Sequence, residues 1–163
     1  MPLVLCQAIP RGIFWVNPKT KEVTVFGSGD QRVSMSSIDM VRKATVAVLK
    51  NPGAFANRPA YFADYTISSN ELLTILNELE GAEKWKPNQI PLTGFFQQAK
   101  QLWDADTANG VQDRLNSTAY QMLGTYGLFD ESNRYGADFS GKIEEGFGVS
   151  LDEFKEILRT AIA

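Results

Sequence analysis

Apolar and polar residues follow strand-like spacing early in the chain and helical spacing later on. The stretch GIFWVNPKTKEVTVFGSGD predicts two strands, Ile13–Val16 and Glu22–Phe26, around a turn at Asn17–Lys19. We expect another strand at Ala60–Tyr65 and a short extended segment within KWKPNQIPL. Early strands followed by helices predict an α+β fold, in which a short β-hairpin or partial sheet precedes a helical lobe.

The first two predicted helices carry clear end signals. SSIDMVRKATVAVLKNP has apolar residues at a spacing of three and four, with Ser36 or Ser37 as the N-cap. In the segment SSNELLTILNELEG, Ser68 and Glu71 predict a capping box, and Gly81 is expected to end the helix.

The C-terminal half is predicted to be mainly helical. Thr93 is expected to cap GFFQQAKQLW, and the apolar spacing continues through DTANGVQDRLNSTAYQMLG to Gly124. YGLFDESNRYGADFSG is typical of a loop because it is rich in Gly, Asp and Asn. The final helix lies in SLDEFKEILRTAIA, with a second capping box at Ser150 and Glu153.

Length and charge limit the classes of protein. The chain has 163 residues and no repeat or linker, so residues 1–163 are expected to form a single domain. The net charge of −3 comes from interspersed acidic and basic residues, and we expect neither a nucleic-acid partner nor a membrane surface. The N-terminal apolar run lacks a basic region, and Cys6 is the one cysteine. These features favour a cytoplasmic protein.

The sequence contains no histidine. This excludes Ser-His-Asp and Cys-His nucleophile activation, together with histidine metal sites. Proton transfer must therefore use Asp, Glu, Lys, Tyr or Cys. We expect no metal site.

Three segments resemble the NmrA-like or isoflavone-reductase-like family in its fungal form. They are VNPKTKEVTVFGSGDQRVSMSSIDMVRKATVAVLKNP, NRPAYFADYTISSNELLTILNELEG, and YGADFSG with the helix that follows it. The resemblance runs from about Gly12 onward and consists of strand and cap patterns. Members of the family resemble short-chain dehydrogenases, with an N-terminal Rossmann half and a C-terminal lobe over the substrate pocket. This chain resembles only that C-terminal half.

The resemblance implies a substrate lobe without its own nucleotide site. Gly27-Ser28-Gly29 has Arg32 where a Rossmann fingerprint requires its third glycine, and Gly146-Phe147-Gly148 has Leu151 there. We therefore expect no cofactor. NAD(P)H would bind only if another polypeptide supplied the Rossmann half.

Aromatic residues of the later helices are candidate walls of an apolar pocket. Phe95, Phe96 and Trp103 share one helical face, and Tyr120 and Tyr126 follow on the next helix. Such walls would suit a flat hydrophobic ligand. The alternative is that aromatic residues at helical spacing pack the core.

The loop FDESNRYGADFSG brings acids close to a tyrosine. A carboxylate and a tyrosine that face one cavity can act as base and acid, and burial would raise the carboxyl pKa. The alternative is a polar surface loop in which Arg134 pairs with a neighbouring acid. The catalytic candidates are Tyr120, Tyr126, Tyr135, Asp130 and Glu131. The substrate-binding candidates are Asp64, Tyr65, Phe95, Phe96, Trp103 and Arg134.

Asp64 and Tyr65 are candidates because they end a predicted strand, where open α/β sheets commonly meet ligands. In the family that the chain resembles, this strand end looks toward the pocket.

Three functions are open at this point. The first is a cofactor-independent isomerase, cyclase or dehydratase of secondary metabolism, acting on a hydrophobic aromatic or polyketide-like substrate. The second is a substrate-binding fragment or split subunit of an NAD(P)H-dependent oxidoreductase. The third is a non-enzymatic sensor. A homodimer is expected to cover the exposed sheet edge.

Overall fold

The computed structural model describes residues 15–81 and 85–162, which form an α+β fold as the sequence predicts. Cys6 and the start of the expected Ile13–Val16 strand lie outside these ranges. The strands are β1 (Val16–Asn17), β2 (Glu22–Phe26), β3 (Arg32–Met35), β4 (Tyr65–Ser68) and β5 (Lys86–Ile90). The helices are α1 (Ile38–Lys50), α2 (Pro52–Phe55), α3 (Ser69–Glu80), α4 (Phe95–Ala108), α5 (Thr118–Phe129) and α6 (Leu151–Ile162).

The strands form two small sheets. β1 and β2 make the predicted hairpin, with Val16 opposite Val23, and the Asn17 side chain accepts the Lys19 backbone N–H at 3.1 Å. β5 lies parallel to β2 on the other side, so the extended segment within KWKPNQIPL is confirmed. β3 pairs with β4 in antiparallel register, Val33 opposite Ile67.

The predicted strand at Ala60–Tyr65 is placed too early in the chain. Ladder pairing with β3 begins only at Tyr65 and continues through Ser68. The residues before it run beside a later loop instead: Tyr61 bridges Ile143, and the Val149 N–H donates to the Asp64 carbonyl at 2.9 Å. Pairing partners, which lie far away in sequence, decide where the strand starts.

Capping chemistry fixes three helix starts as predicted. Ser37 caps α1, accepting the Met40 N–H at 3.1 Å. Ser68 and Glu71 form the capping box of α3, with Glu71 N–H to Ser68 at 3.2 Å and Ser68 N–H to Glu71 at 2.8 Å. The C-terminal helix has the same reciprocal pair at Ser150 and Glu153. Such boxes satisfy backbone N–H groups that the helix itself leaves unpaired.

Two boundary predictions in the later helices are wrong. Gly94, in the left-handed conformation and without a side-chain bond, is the N-cap of α4 in place of Thr93. The apolar spacing that was expected to run on to Gly124 is interrupted, since α4 ends at Ala108 and α5 begins after Ser117. Gly124 therefore lies inside α5. The Asn109-Gly110 turn, with Gly110 at φ +66°, breaks the helix.

The core lies between the two sheets, α3 and α6. Its fully buried side chains include Val23, Leu72, Leu76, Phe154 and Leu158. A second group of contacts joins α5 to the three-stranded sheet, where the Phe129 ring stacks on Phe26 and meets Trp15 edge-on, with centroids 4.7 and 5.0 Å apart. These contacts position α5 beside α1. Within the described residues, no helix is long and apolar enough to cross a membrane.

Candidate functional site

A cavity of about 950 Å³ lies between α1 and α5. Its other walls are the first turn of α4, residues 60–62, and residues 135–137 and 139 of the loop after α5. This volume lies within the range of small-molecule pockets. The apolar residues of α1 that line it are Met40, Val41, Ala44, Val48 and Leu49.

The lining is apolar with a few hydroxyl groups. Three of these hydroxyls are already engaged: Ser34 with Thr66 at 2.8 Å, Ser36 with the Phe62 carbonyl at 3.0 Å, and Thr45 with the Val41 carbonyl at 2.8 Å. The other hydroxyls belong to Tyr61, Tyr126 and Tyr135. Among the described residues, no Asp, Glu, Lys or Arg side chain lines the cavity.

Three of the predicted site residues meet at this cavity: Phe96, Tyr126 and Tyr135 all line it. The rings of Phe96 and Tyr126 are 5.2 Å apart between centroids, and those of Tyr126 and Tyr135 are 6.4 Å apart. The helix pair α4–α5 and the following loop therefore form one aromatic wall, as the pocket hypothesis requires.

Three of the remaining aromatic candidates lie elsewhere on the later helices. Phe95 is partly buried and packs edge-on against Phe26, with centroids 6.2 Å apart. Trp103 lies under the guanidinium of Arg114, 3.7 Å from the ring centre. Tyr120 is 43% exposed and is absent from the lining.

Asp130 is buried beside the cavity wall but pairs with Arg134 instead of lining the cavity. The Arg134 guanidinium donates to the carboxylate from Nη2 at 2.7 Å and from Nε at 3.1 Å. Together with the Arg134 backbone N–H and the Ser132 hydroxyl, these bonds hold the pKa of Asp130 well below its usual range. The expected rise in carboxyl pKa is therefore wrong for Asp130, and the alternative of an Arg134–acid pair is confirmed.

Glu131 also lies outside the cavity lining. Its carboxylate accepts the Ser28 backbone N–H at 2.7 Å, at the turn that follows β2. Gly27 and Gly29 on either side of this turn have φ of +60° and +80°. The Gly27-Ser28-Gly29 turn leads into β3 rather than into a helix, and Glu131 occupies the backbone N–H that a phosphate would need.

Asp64 and Tyr65 have structural contacts at the start of β4, and they do not end a strand as expected. The buried Asp64 carboxylate accepts the backbone N–H of Ser37, the N-cap residue of α1. The Tyr65 ring stacks on Phe154 of α6, with centroids 4.5 Å apart and planes 16° from parallel. Neither side chain lines the cavity.

The α1 wall of the cavity was not predicted from the sequence. The signal was present: Val41, Val48 and Leu49 extend the apolar face of this helix, yet only Met40 and Ala44 are buried. An apolar helix face that the core does not cover is available to line a site. Tyr61, at the end of the cavity, was likewise not among the candidates.

The residues that the structure describes contain no cluster of three or more His, Cys, Asp or Glu able to hold a metal ion. No family model, curated protein or solved structure matches this chain significantly. The likeness to NmrA-like proteins thus stays an expectation from sequence. The candidate site stands on its own geometry.

Proposed function

We propose that this chain binds a hydrophobic, aromatic or polyketide-like small molecule in the α1–α5 cavity. The chain would isomerise, cyclise or dehydrate that molecule without a nucleotide. The observation that carries the proposal is the cavity itself: about 950 Å³, apolar, and lined by the aromatic group Phe96, Tyr126 and Tyr135. Burial of ligand surface against such walls supplies the binding free energy.

Tyr126 and Tyr135 are the groups best suited to proton transfer. Both line the cavity, and their rings are 6.4 Å apart, so a ligand can meet both. Asp130 and Glu131 have other partners, Arg134 and the Ser28 N–H. We therefore assign the proton-transfer role to the phenols and give Asp130 a positioning role.

The binding proposal is tested with diphenylhexatriene, a neutral hydrocarbon that fluoresces in apolar surroundings. The expected result is a saturable rise in fluorescence with the full chain. A blocking variant is Gly124→Leu, because Gly124 lines the cavity and a Cβ added there meets no atom within 4 Å. This variant is expected to fold and to lose the signal.

The matched control is Ala105→Leu, which adds the same side chain at an exposed position of α4 away from the lining. It is expected to bind the probe like the unmodified chain. Equal binding by the two leucine variants would place the probe outside the cavity and contradict the proposal.

A second candidate is the substrate subunit of an NAD(P)H-dependent reductase, which β5 favours. Among the strands that the structure describes, β5 is an edge strand that pairs with β2 in parallel, and Lys86 to Gln89 are exposed. An open edge of this kind can accept a further strand from a partner or a second copy. Calorimetric titration with NADPH separates the candidates: the first predicts no heat for the chain alone. NADPH binding that appears only with a partner chain supports the second.

A further inference from the structure

The Tyr126 hydroxyl is hydrogen-bonded to Arg134, a side chain that can only donate hydrogen bonds. Arg134 Nη2 lies 2.8 Å from the Tyr126 hydroxyl, and the guanidinium has no acceptor atom. The phenol oxygen therefore accepts from Arg134, and its own hydrogen must be given to a different group. Among the described residues, the Tyr126 hydroxyl makes no second hydrogen bond with protein. The hydroxyl hydrogen is thus available to a molecule in the cavity.

Arg134 makes Tyr126 a stronger donor without turning the cavity into an anion site. Hydrogen bonds in a chain polarise one another, so donation from a cation to the phenol oxygen strengthens the phenol as a donor. The positive charge itself is matched by Asp130, which takes bonds from Nε and Nη2. An anionic ligand would have to compete with that buried carboxylate.

The rest of the lining carries no charge. The cavity residues that the structure describes are apolar or hydroxyl-bearing, and the Ser34, Ser36 and Thr45 hydroxyls already have partners. Burying an ionised group without a partner is costly, so this lining disfavours charged ligands. A neutral acceptor matches both the apolar walls and the Tyr126 hydroxyl, which is the lining phenol that Arg134 polarises.

We propose that the cavity selects an uncharged apolar ligand with a carbonyl group, which accepts the O–H of Tyr126 while Arg134 holds the phenol oxygen. Tyr126 is then a specificity-determining residue, and Arg134 a positioning residue that acts through it. This inference rests on the proposed binding function and adds the chemical class of the ligand.

The test compares three naphthalene probes with the full chain. The first, 6-propionyl-2-dimethylaminonaphthalene, has a carbonyl whose emission shifts to the red when it accepts a hydrogen bond. The second is the same amine without the acyl group, and the third has a carboxylate in its place. We expect the carbonyl probe to bind most tightly and the carboxylate probe least tightly. The bound carbonyl probe should emit to the red of its emission in a hydrocarbon solvent, because its carbonyl accepts a hydrogen bond.

Two substitutions distinguish the contribution of the Tyr126 hydroxyl to binding from that of the apolar cavity walls. Tyr126→Phe is expected to weaken the carbonyl probe about 3- to 10-fold, the usual value of one hydrogen bond, and to remove its red shift. Arg134→Gln is expected to reduce the red shift, because the phenol is no longer polarised. The probe without the acyl group is measured in both variants, and the loss of affinity of the carbonyl probe is taken relative to it, so that any change in the walls is accounted for. Tyr120→Phe, an exposed tyrosine of α5 outside the lining, is the control.

The outcomes distinguish this inference from the binding proposal. If none of the probes binds, the proposed function fails. If the probes bind but Tyr126→Phe changes the affinity for the acylated and non-acylated amines equally, the cavity binds ligands and the carbonyl assignment is wrong. Tightest binding of the carboxylate probe would also overturn the assignment, since the Arg134 charge would then be open to ligands.

Discussion

Asp130 and Arg134, four residues apart, are joined by three side-chain hydrogen bonds: Arg134 Nη2 donates to Oδ1 at 2.7 Å, and Nε donates to Oδ2 at 3.1 Å and to Oδ1 at 3.2 Å. The same carboxylate accepts the Arg134 backbone N–H at 3.0 Å. One buried acid thus shapes the turn after α5 and orients the guanidinium that reaches Tyr126. Paired, hydrogen-bonded charges of this kind are costly to break from one side, because the remaining charge loses its partner.

Asp130→Asn is therefore expected to lower the melting temperature clearly more than Asp104→Asn. The control is matched, because Lys100 and Asp104 also form an ion pair four residues apart, at 2.7 Å, with both side chains exposed. Exposed pairs of this type contribute little to stability. Thermal unfolding followed by circular dichroism makes the comparison, and equal shifts in the two variants would contradict the role given to Asp130.

Stability is expected to fall at acidic pH for a defined reason. Arg134 lowers the pKa of Asp130, Arg58 lowers that of Glu144, and Ser150 lowers that of Glu153. A carboxyl whose pKa is lower in the folded state adds stability above its unfolded-state pKa, about 4, and loses it as pH falls toward the folded-state pKa. Urea unfolding at pH 7, 5, 4 and 3 should show the stability nearly level down to pH 5 and declining below it.

Asp130→Asn should make that acid decline shallower, because one of the titrating carboxylates is removed. The predicted sign is specific: the variant starts less stable at pH 7 and approaches the unmodified chain as pH drops. Parallel curves for the two proteins between pH 5 and 3 would show that Asp130 does not contribute to the acid dependence.

Gly29 is expected to be far less tolerant of alanine than Gly110. Both have positive φ, +80° and +66°, so both substitutions strain the backbone. A Cβ at Gly29 would also meet Val25 at 2.5 Å and Asn70 at 2.6 Å, whereas one at Gly110 meets nothing within 4 Å. We expect Gly29→Ala to cost at least about 1 kcal/mol more in the free energy of unfolding. Equal losses would mean that the turn relaxes freely.

If the phenols transfer protons, the chain should speed hydrogen exchange next to a carbonyl. Incorporation of deuterium into 1-tetralone in D₂O, followed by NMR, is expected to be faster with the protein. Tyr126→Phe should reduce the protein-dependent rate at least about 10-fold, since general acid–base groups typically contribute more than that. Tyr120→Phe is the control. Exchange no faster than in buffer, with probe binding intact, would leave a binding protein without this catalysis.

Most local signals predicted the structure correctly, one exception being the cap expected at Thr93. The caps at Ser37, Ser68 and Ser150 were predicted correctly because each depends on residues within four positions along the chain. The β1–β2 hairpin was predicted for the same reason. The start of β4 was not, because its pairing with β3, about thirty residues earlier, decides it.

The same contrast between local signals and long-range contacts applies to the candidate site. Phe96, Tyr126 and Tyr135 were predicted and do line the cavity, to which α4, α5 and the loop after α5 contribute one ring each. The α1 wall was not predicted, because sequence spacing shows that a helix has an apolar face but not which neighbour covers it. The partners of Asp130 and Glu131 also depend on the fold: Glu131 meets Ser28, 103 residues away.

Helix α4 buries little surface against the rest of the protein, and this affects how fast the helix opens and closes. This helix of 14 residues buries one side chain, Ala99, and packs chiefly on α5. Segments with so little buried surface unfold locally at a small fraction of the global free energy. Amide hydrogens of α4 should therefore exchange fastest among the long helices, and each opening would release Phe96 from Tyr126. The residence time of a bound ligand would then be set by the breathing of this one helix.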